Sequence, residues 1–170
     1  MKLTVTELED KVAEGIAKLG YEGDDARIIE EVLLYADMRG NNQGIPKIAT
    51  GGVPRAEDVP EFRIVNENKC GALISGGQAM VTSQKAAEMA VMLAEHHGVG
   101  IVGTNHATSS SGAIGYFARH IAEAGFIGLV VVGTDSFVAP TGSSEARLGT
   151  NPISYAFPTS KSPVVFDCTT

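Results

Sequence analysis

Gly98-Val99-Gly100-Ile101-Val102-Gly103 is the stretch on which the fold turns. Its spacing matches G-x-G-x-x-G, and Glu123 follows at a distance that suits the acidic partner of a dinucleotide fingerprint. That fingerprint works only when a strand runs into the glycines and a helix opens among them, so that phosphate meets a helix N-terminus. Here the order is reversed. A long helical pattern ends at Glu95-His96-His97, and residues 99–103 read as a buried strand. The glycines mark a helix giving way to a strand, and a Rossmann-type nucleotide site is excluded at this position.

Working outward from there, the helix that leads into the glycines is expected to start at Thr82 or Ser83. Before it stand two short strands, residues 62–66 and 71–74, joined by a turn at 67–69. Residues 39–60 are rich in Gly, Asn and Pro and read as loop with little regular structure. The chain opens with two helices. Thr6-Glu7-Leu8-Glu9 fits a capping box, Val12, Ile16 and Leu19 recur at helical spacing, and Gly20 ends the run. Asp24 and Asp25 open a second helix to about Met38, with Ile28, Ile29, Val32, Leu33 and Ala36 as its apolar stripe.

Downstream of the glycines, a polar loop over residues 104–111 precedes a helix over 112–124 and a second buried strand over 126–132. Shorter strands follow at 154–157 and 164–167. The fold class is α/β: an N-terminal helical hairpin followed by a mixed sheet covered by helices. Residues 1–60 form a helical segment with a site loop, and residues 61–170 a partial α/β domain.

Composition narrows the function. The chain has 170 residues, 44% hydrophobic and 19% charged, which is enough apolar material for a real core. Thirteen Lys and Arg stand against twenty Asp and Glu, and no basic cluster occurs, so neither nucleic acid nor an anionic membrane is an expected partner. The longest apolar run has strand length, and the opening MKLTVTELED has no apolar region of signal-peptide length, which makes the cytoplasm the expected compartment. Cys70 and Cys168 lie far apart and read as two packed thiols. His96 and His97 read as a favoured helix C-terminus and His120 as structural, so no metal site is expected.

Three clusters are candidates for chemistry. Arg39-Gly40-Asn41-Asn42-Gln43-Gly44-Ile45-Pro46-Lys47 joins a helix end to a Gly-rich loop. Arg39 either answers the last carbonyls of its own helix or, with Lys47, offers a cation to a carboxylate. Thr104-Asn105-His106, continuing through Ser109-Ser110-Ser111, is a polar loop between a strand end and a helix N-terminus, where ligands gather in α/β proteins. His106 is the one imidazole in a candidate site loop. Leu148-Gly149-Thr150-Asn151-Pro152 is a turn by composition.

Taken together these stretches resemble the malate/L-lactate dehydrogenase family of the non-Rossmann type. The strongest pieces are Ala36-Asp37-Met38-Arg39-Gly40, the Asn105-His106 loop running into Gly112-Ala113-Ile114-Gly115-Tyr116-Phe117, and Ile121-Ala122-Glu123-Ala124-Gly125-Phe126-Ile127-Gly128. Gly149-Thr150-Asn151-Pro152 and Asp167-Cys168-Thr169-Thr170, similar to the family's Asp-x-Ala-Thr turn, extend the likeness to the last residues. The resemblance implies hydride transfer between NAD or NADP and a small 2-oxo or 2-hydroxy acid, in a homodimer when full length. It places Lys47 where the family has its substrate-binding arginine, with Arg39 and Asn105 beside the substrate. Ser111, Thr150, Asn151, Pro152, Asp167 and Thr170 fall in segments close to the cofactor.

Two departures stand out. The family reads Arg-Gly-x-x-Ser-His-Gly, whereas here Gln43 stands where its acid/base histidine belongs, and the segment is one residue shorter. A glutamine hydrogen-bonds a carbonyl oxygen but does not titrate near neutral pH, so His106 or an ordered water is the expected donor. The family's chains are also about twice as long, which makes this an N-terminal half and the isolated half an expected non-catalyst. The alternatives are a non-catalytic ligand-binding relative, or a half-subunit completed by a second chain.

Overall fold

The computed structural model describes residues 3–169. It divides into two compact units, Met1–Ala113 and Ile114–Thr170. The step expected at residue 60 falls inside the first unit, at the entry to its sheet.

The first unit opens with helices α1 (Val5–Lys18) and α2 (Gly23–Asp37). The capping box that starts α1 lies two residues earlier than expected. Thr4, not Thr6, is the N-cap: its Oγ1 accepts the Glu7 N–H at 3.2 Å, and Glu7 Oε2 accepts the Thr4 N–H at 2.8 Å. Thr4-x-x-Glu7 and Thr6-x-x-Glu9 have the same spacing, and the chain uses the one that yields the longer helix. Val12 and Ile16 face inward from α1, and Ile28, Ile29, Val32, Leu33 and Ala36 from α2, all essentially without solvent contact. Each of these larger side chains contributes about 1.5–3 kcal/mol of transfer free energy. The half-exposed Lys85–Asp25 ion pair at 3.2 Å, which also joins α2 to the body of the unit, adds about 0–1 kcal/mol. Burial, not charge, therefore docks the hairpin.

The segment expected as irregular contains a short helix, α3 (Pro46–Ala49), with Pro46 at its first turn, and a 3₁₀ turn over Ala56–Asp58. Strand β1 (Arg63–Glu67) pairs antiparallel with β2 (Gly71–Ser75), with a bulge between Ile64 and Asn66. Helix α4 (Ala79–His97) then carries the chain to β3 (Ile101–Asn105), which lies parallel to β2 in the register Ser75↔Asn105. The sheet order is β1-β2-β3.

Helix α4 starts three residues before Thr82. The buried Gln78 acts as its N-cap, its Oε1 accepting from Met80 N at 2.7 Å and Val81 N at 3.2 Å. The strand expected at 99–103 begins two residues later. It is an edge strand, and Ile101 is 69% exposed. β-propensity and burial share a sequence signature, and α4 covers only one face of β3.

The second unit is helix α5 (Gly115–Glu123) on an antiparallel sheet of β4 (Gly128–Val131), β5 (Ile153–Phe157) and β6 (Val164–Cys168), in that order. Its core is small-residue packing: Ala118 and Ala122 of α5 meet Ala156 of β5, flanked by Val130 and Val165. The expected second buried strand is likewise an edge. Gly128 and Val130 turn toward the helix, and Leu129 and Val131 turn to solvent. The described residues thus hold a mixed sheet covered by helices and a separate antiparallel sheet.

Gly100, the middle glycine of the opening motif, has a packing role. A Cβ there would overlap the backbone carbonyl of Ala90 on α4. Gly100→Ala is expected to lower the stability of the chain by about 1–3 kcal/mol, as overpacking does. Thermal unfolding of the ligand-free chain is the measurement, and an unchanged midpoint would remove this explanation of the glycine.

Candidate functional site

Asn105 and His106 lie on a loop that the fold ties to a neighbouring one. Residues 76–79 and 105–110 run side by side beyond the paired ends of β2 and β3. Gly76 N–H donates to Asn105 O at 3.0 Å, Thr108 N–H to Gly77 O at 2.8 Å, and Ala79 N–H to Thr108 O at 3.0 Å. Gln78 Nε2 donates to Ser110 O at 3.4 Å. From the other side Ser109 Oγ donates to Gly52 O at 2.9 Å, which brings in the loop after α3. The aliphatic stem of Lys47 lies directly over Gly52, where any side chain would collide with it. The chain Lys47, Gly52, Ser109, His106 is therefore physically continuous.

Within this frame Asn105 and His106 are exposed at the end of β3, and Ser111 is half-buried. His106 Nδ1 lies 3.4 Å from Oγ of Ser75, a buried residue at the end of β2. The backbone of His106 is left-handed at φ 51°, and that of Ser109 at φ 73°. Gln43 is half-buried and engaged locally: its N–H donates to Asn41 Oδ1 at 2.9 Å and its Nε2 to Asn42 Oδ1 at 3.0 Å. Arg39 turns back onto its own helix. Its guanidinium stacks 3.6 Å from the Tyr35 ring centre, and Nη1 donates to Tyr35 O at 3.0 Å. That is the helix-end arrangement, in which the cation answers a late carbonyl and the dipole.

The second unit's candidates form a polar knot. Thr134 Oγ1 accepts the Thr150 N–H at 2.9 Å and lies 3.3 Å from Thr150 Oγ1. Asn151, left-handed at φ 35°, accepts the Thr134 N–H on Oδ1 at 3.2 Å. Pro152 O accepts from Val132 N at 3.2 Å, and Thr169 Oγ1 donates to Thr150 O at 2.9 Å. Asp167 Oδ2 accepts the N–H of Gly115, the first residue of α5, at 2.8 Å. The helix expected from Gly112 thus starts at Gly115, and its N-terminus is occupied by the chain's own carboxylate rather than left open for an anion. Thr170 lies outside the described residues.

Among the described residues no group of His, Cys, Asp or Glu could hold a metal ion, and no helix is long and apolar enough to cross a membrane.

The malate/L-lactate dehydrogenase profile matches residues 3–170. The chain belongs to that family. The malate dehydrogenase of Pyrococcus abyssi is 34% identical, over 100% of this chain and 49% of its own length. The ureidoglycolate dehydrogenase (NAD(+)) of Escherichia coli K12 is 33% identical, over 93% of this chain and 47% of its own. Among solved structures, malate dehydrogenase from Pyrococcus horikoshii OT3 superposes with a TM-score of 0.86 at 33% identity, covering 98% of this chain and 50% of that one. Sulfolactate dehydrogenase from Methanocaldococcus jannaschii gives 0.83 at 31%. The chain spans about half the length of the curated relatives it matches.

Family membership explains why three distant loops carried a joint signal, but three contributors escaped the sequence reading. Ser75 and Gln78 fall between the expected strand at 71–74 and the expected helix start at Thr82, and Thr134 lies beyond the expected strand at 126–132. The glycine pair before a helix was the available clue to Gln78. Asp167, expected near the cofactor, also accepts the first N–H of α5. Asp167→Ala is expected to cost about 1 kcal/mol by uncapping α5. Urea unfolding without any cofactor reads this directly, and an unchanged midpoint would return Asp167 to a purely ligand-facing role.

Proposed function

We propose that the chain supplies the carboxylate-gripping and proton-handling part of an oxidoreductase that moves a hydride between NAD(P)H and a small 2-oxo acid, giving the 2-hydroxy acid. One observation carries the reading beyond family membership. The non-glycine residues with positive φ among the described residues are His106, Ser109 and Asn151. All lie in the loops assigned to substrate or cofactor. Left-handed backbone at such residues costs about 1–3 kcal/mol each and persists where the surroundings enforce it, which is characteristic of working sites.

The residues present suit a dinucleotide. Asn151 is exposed and commits Oδ1 to the Thr134 amide, which leaves its Nδ2 donor for a ligand. The carboxylate of Asp167 is already engaged at α5, so its charge is partly answered. Thr150, Pro152 and Thr170 complete this set in the proposal. A reduced nicotinamide, when bound, would supply the hydride for the 2-oxo carbon.

The protein's own tasks are three. Lys47 holds the substrate carboxylate, and as a point charge it orients the anion less tightly than an arginine fork. His106 delivers a proton from Nε2 to the oxygen that becomes the hydroxyl, so that hydride plus proton completes the reduction. Asn105, beside it, donates a hydrogen bond to the same end of the substrate. Gln43 shapes the loop through Asn41 and Asn42 and has no titratable proton to give. Arg39 steadies the end of α2 and supports this loop from outside.

A second reading is a half-subunit that works only with the part of the family fold its match does not span. The face of β4-β5-β6 turned away from α5 favours it. Leu129, Val131, Phe157, Val164 and Phe166 point there and are 44–65% exposed. A continuous apolar sheet face of this kind marks an interaction surface. Both readings require that residues 1–170 alone do not turn over, and steady NAD(P)H oxidation by the pure chain with a panel of 2-oxo acids would contradict both.

In the polypeptide that does turn over, His106→Asn is expected to lower kcat about 10²–10⁴-fold. Lys47→Gln should raise KM for the oxo acid about 10–100-fold, the loss of one hydrogen bond to a charged group. Wild-type kcat for His106→Asn across the pH range would dismiss His106 as the donor.

A further inference from the structure

His106 is exposed, yet one edge of its ring is held. Ser75 sits directly opposite Asn105 in the parallel register, and its hydroxyl reaches past that pair to His106 Nδ1 at 3.4 Å. Ser75 is 4% exposed, so its hydroxyl has little access to water. Two arrangements satisfy the distance. Either Nδ1–H donates to Oγ, or Oγ–H donates to a bare Nδ1.

Their energies differ. If the ring donates, the buried hydroxyl proton of Ser75 is left without an acceptor, and an unsatisfied buried donor costs about 1–3 kcal/mol. If the hydroxyl donates, its proton is used, and what remains is a spare lone pair, which buried oxygens tolerate more readily. The neutral ring then carries its proton on Nε2, the nitrogen away from Ser75. Backbone geometry reinforces the choice. The left-handed φ of His106 and the zip of residues 76–79 against 105–110 fix the point from which the imidazole projects. The imidazole is thereby launched from a fixed point beside Ser75.

We infer that Ser75 is a positioning residue for His106: its buried hydroxyl donates to Nδ1 and holds the neutral imidazole as the Nε2–H tautomer, so that the site presents a hydrogen-bond donor to its ligand. The ligand with the matching chemistry is one whose carbonyl oxygen points at His106. When the ring is doubly protonated the same hydroxyl turns and accepts from Nδ1–H, so Ser75 stays in contact through both protonation states. The relevance to reduction rests on the role proposed above for His106; the tautomer does not.

The test is two-bond ¹H–¹⁵N correlation of the ¹⁵N-histidine-labelled 170-residue chain at a pH where the imidazoles are neutral. The His106 signals are assigned by their loss in His106→Asn. The wild type is expected to show His106 as the Nε2–H form. In Ser75→Ala the separation between its Nδ1 and Nε2 shifts should shrink as the two tautomers mix, and Ser75→Thr, which keeps the hydroxyl, should restore it. An Nδ1–H ring in the wild type would overturn the inference with no variant needed. A separation unchanged in a folded Ser75→Ala would overturn it as well. The spectrum is independent of turnover, so a fixed tautomer together with an active His106→Asn enzyme would reject the proton-donor role and leave the Ser75 inference standing.

Discussion

Much of the first unit depends on one buried amide. Gln78 uses its oxygen to cap α4 and its nitrogen to hold the carbonyl of Ser110. Either interaction alone would be ordinary. Together they couple the start of the longest helix to the loop that carries His106. The coupling is strong because the residue is 2% exposed. In that setting each lost partner leaves a buried polar group unsatisfied, at about 1–3 kcal/mol, instead of exchanging it for water. A glutamate could not donate to the Ser110 carbonyl while ionised, and a methionine could do neither job. The helix, the crossover and the loop geometry thus converge on one side chain that has both a donor and an acceptor.

That coupling makes backbone strain affordable nearby. A loop with φ 51° at His106 and φ 73° at Ser109 would relax if it were held at its ends alone. It is instead zipped along residues 105–110 by four hydrogen bonds to the 76–79 segment and pinned by Ser109 to Gly52. The strain is local and the restraint is distributed, which is how a loop acquires the precision of a strand end. Histidine is among the few residues that tolerate the left-handed region, so the position selects it on conformational as well as chemical grounds.

The helical hairpin, the first strand pair and the helix-to-strand order at Gly98 were legible because each has a local signature: a period of 3.6, a turn, a reversed motif. The start of α4 was not, because glutamine is absent from the usual capping residues and its cap depends on Ser110, 32 positions away. The burial of β3 and β4 was misjudged for a related reason. Ile101, Leu129 and Val131 show that a side chain is apolar, but not what covers it. In the site, the polar loop around His106 stood out because it lies between a strand end and a helix. Arg39 carried two readings that sequence could not separate, and only the Tyr35 stack and carbonyl contact show which one its geometry takes. The role of Asp167 was hidden because its partner, Gly115, lies 52 residues upstream.

Helices α4 and α5 share a property that constrains how an anion can be recognised at their N-termini. A helix N-terminus is the cheapest anion site a protein can build, since its first N–H groups have no internal partner. In this chain α4 gives two of those groups to Gln78, and α5 gives its first to Asp167. At α5 a carboxylate already stands where a substrate carboxylate or phosphate would sit, and a second anion would meet repulsion there. Under the proposed function, recognition of the acid group falls to a side-chain cation rather than to these backbone dipoles. Arg39 is turned onto Tyr35, while Lys47, laid over Gly52, adjoins the His106 loop through the Ser109–Gly52 hydrogen bond. A compact ammonium on a flexible stem specifies charge more than direction. In the proposed reduction, direction comes from the other end of the substrate, where His106 sits on its strained loop beside Ser75.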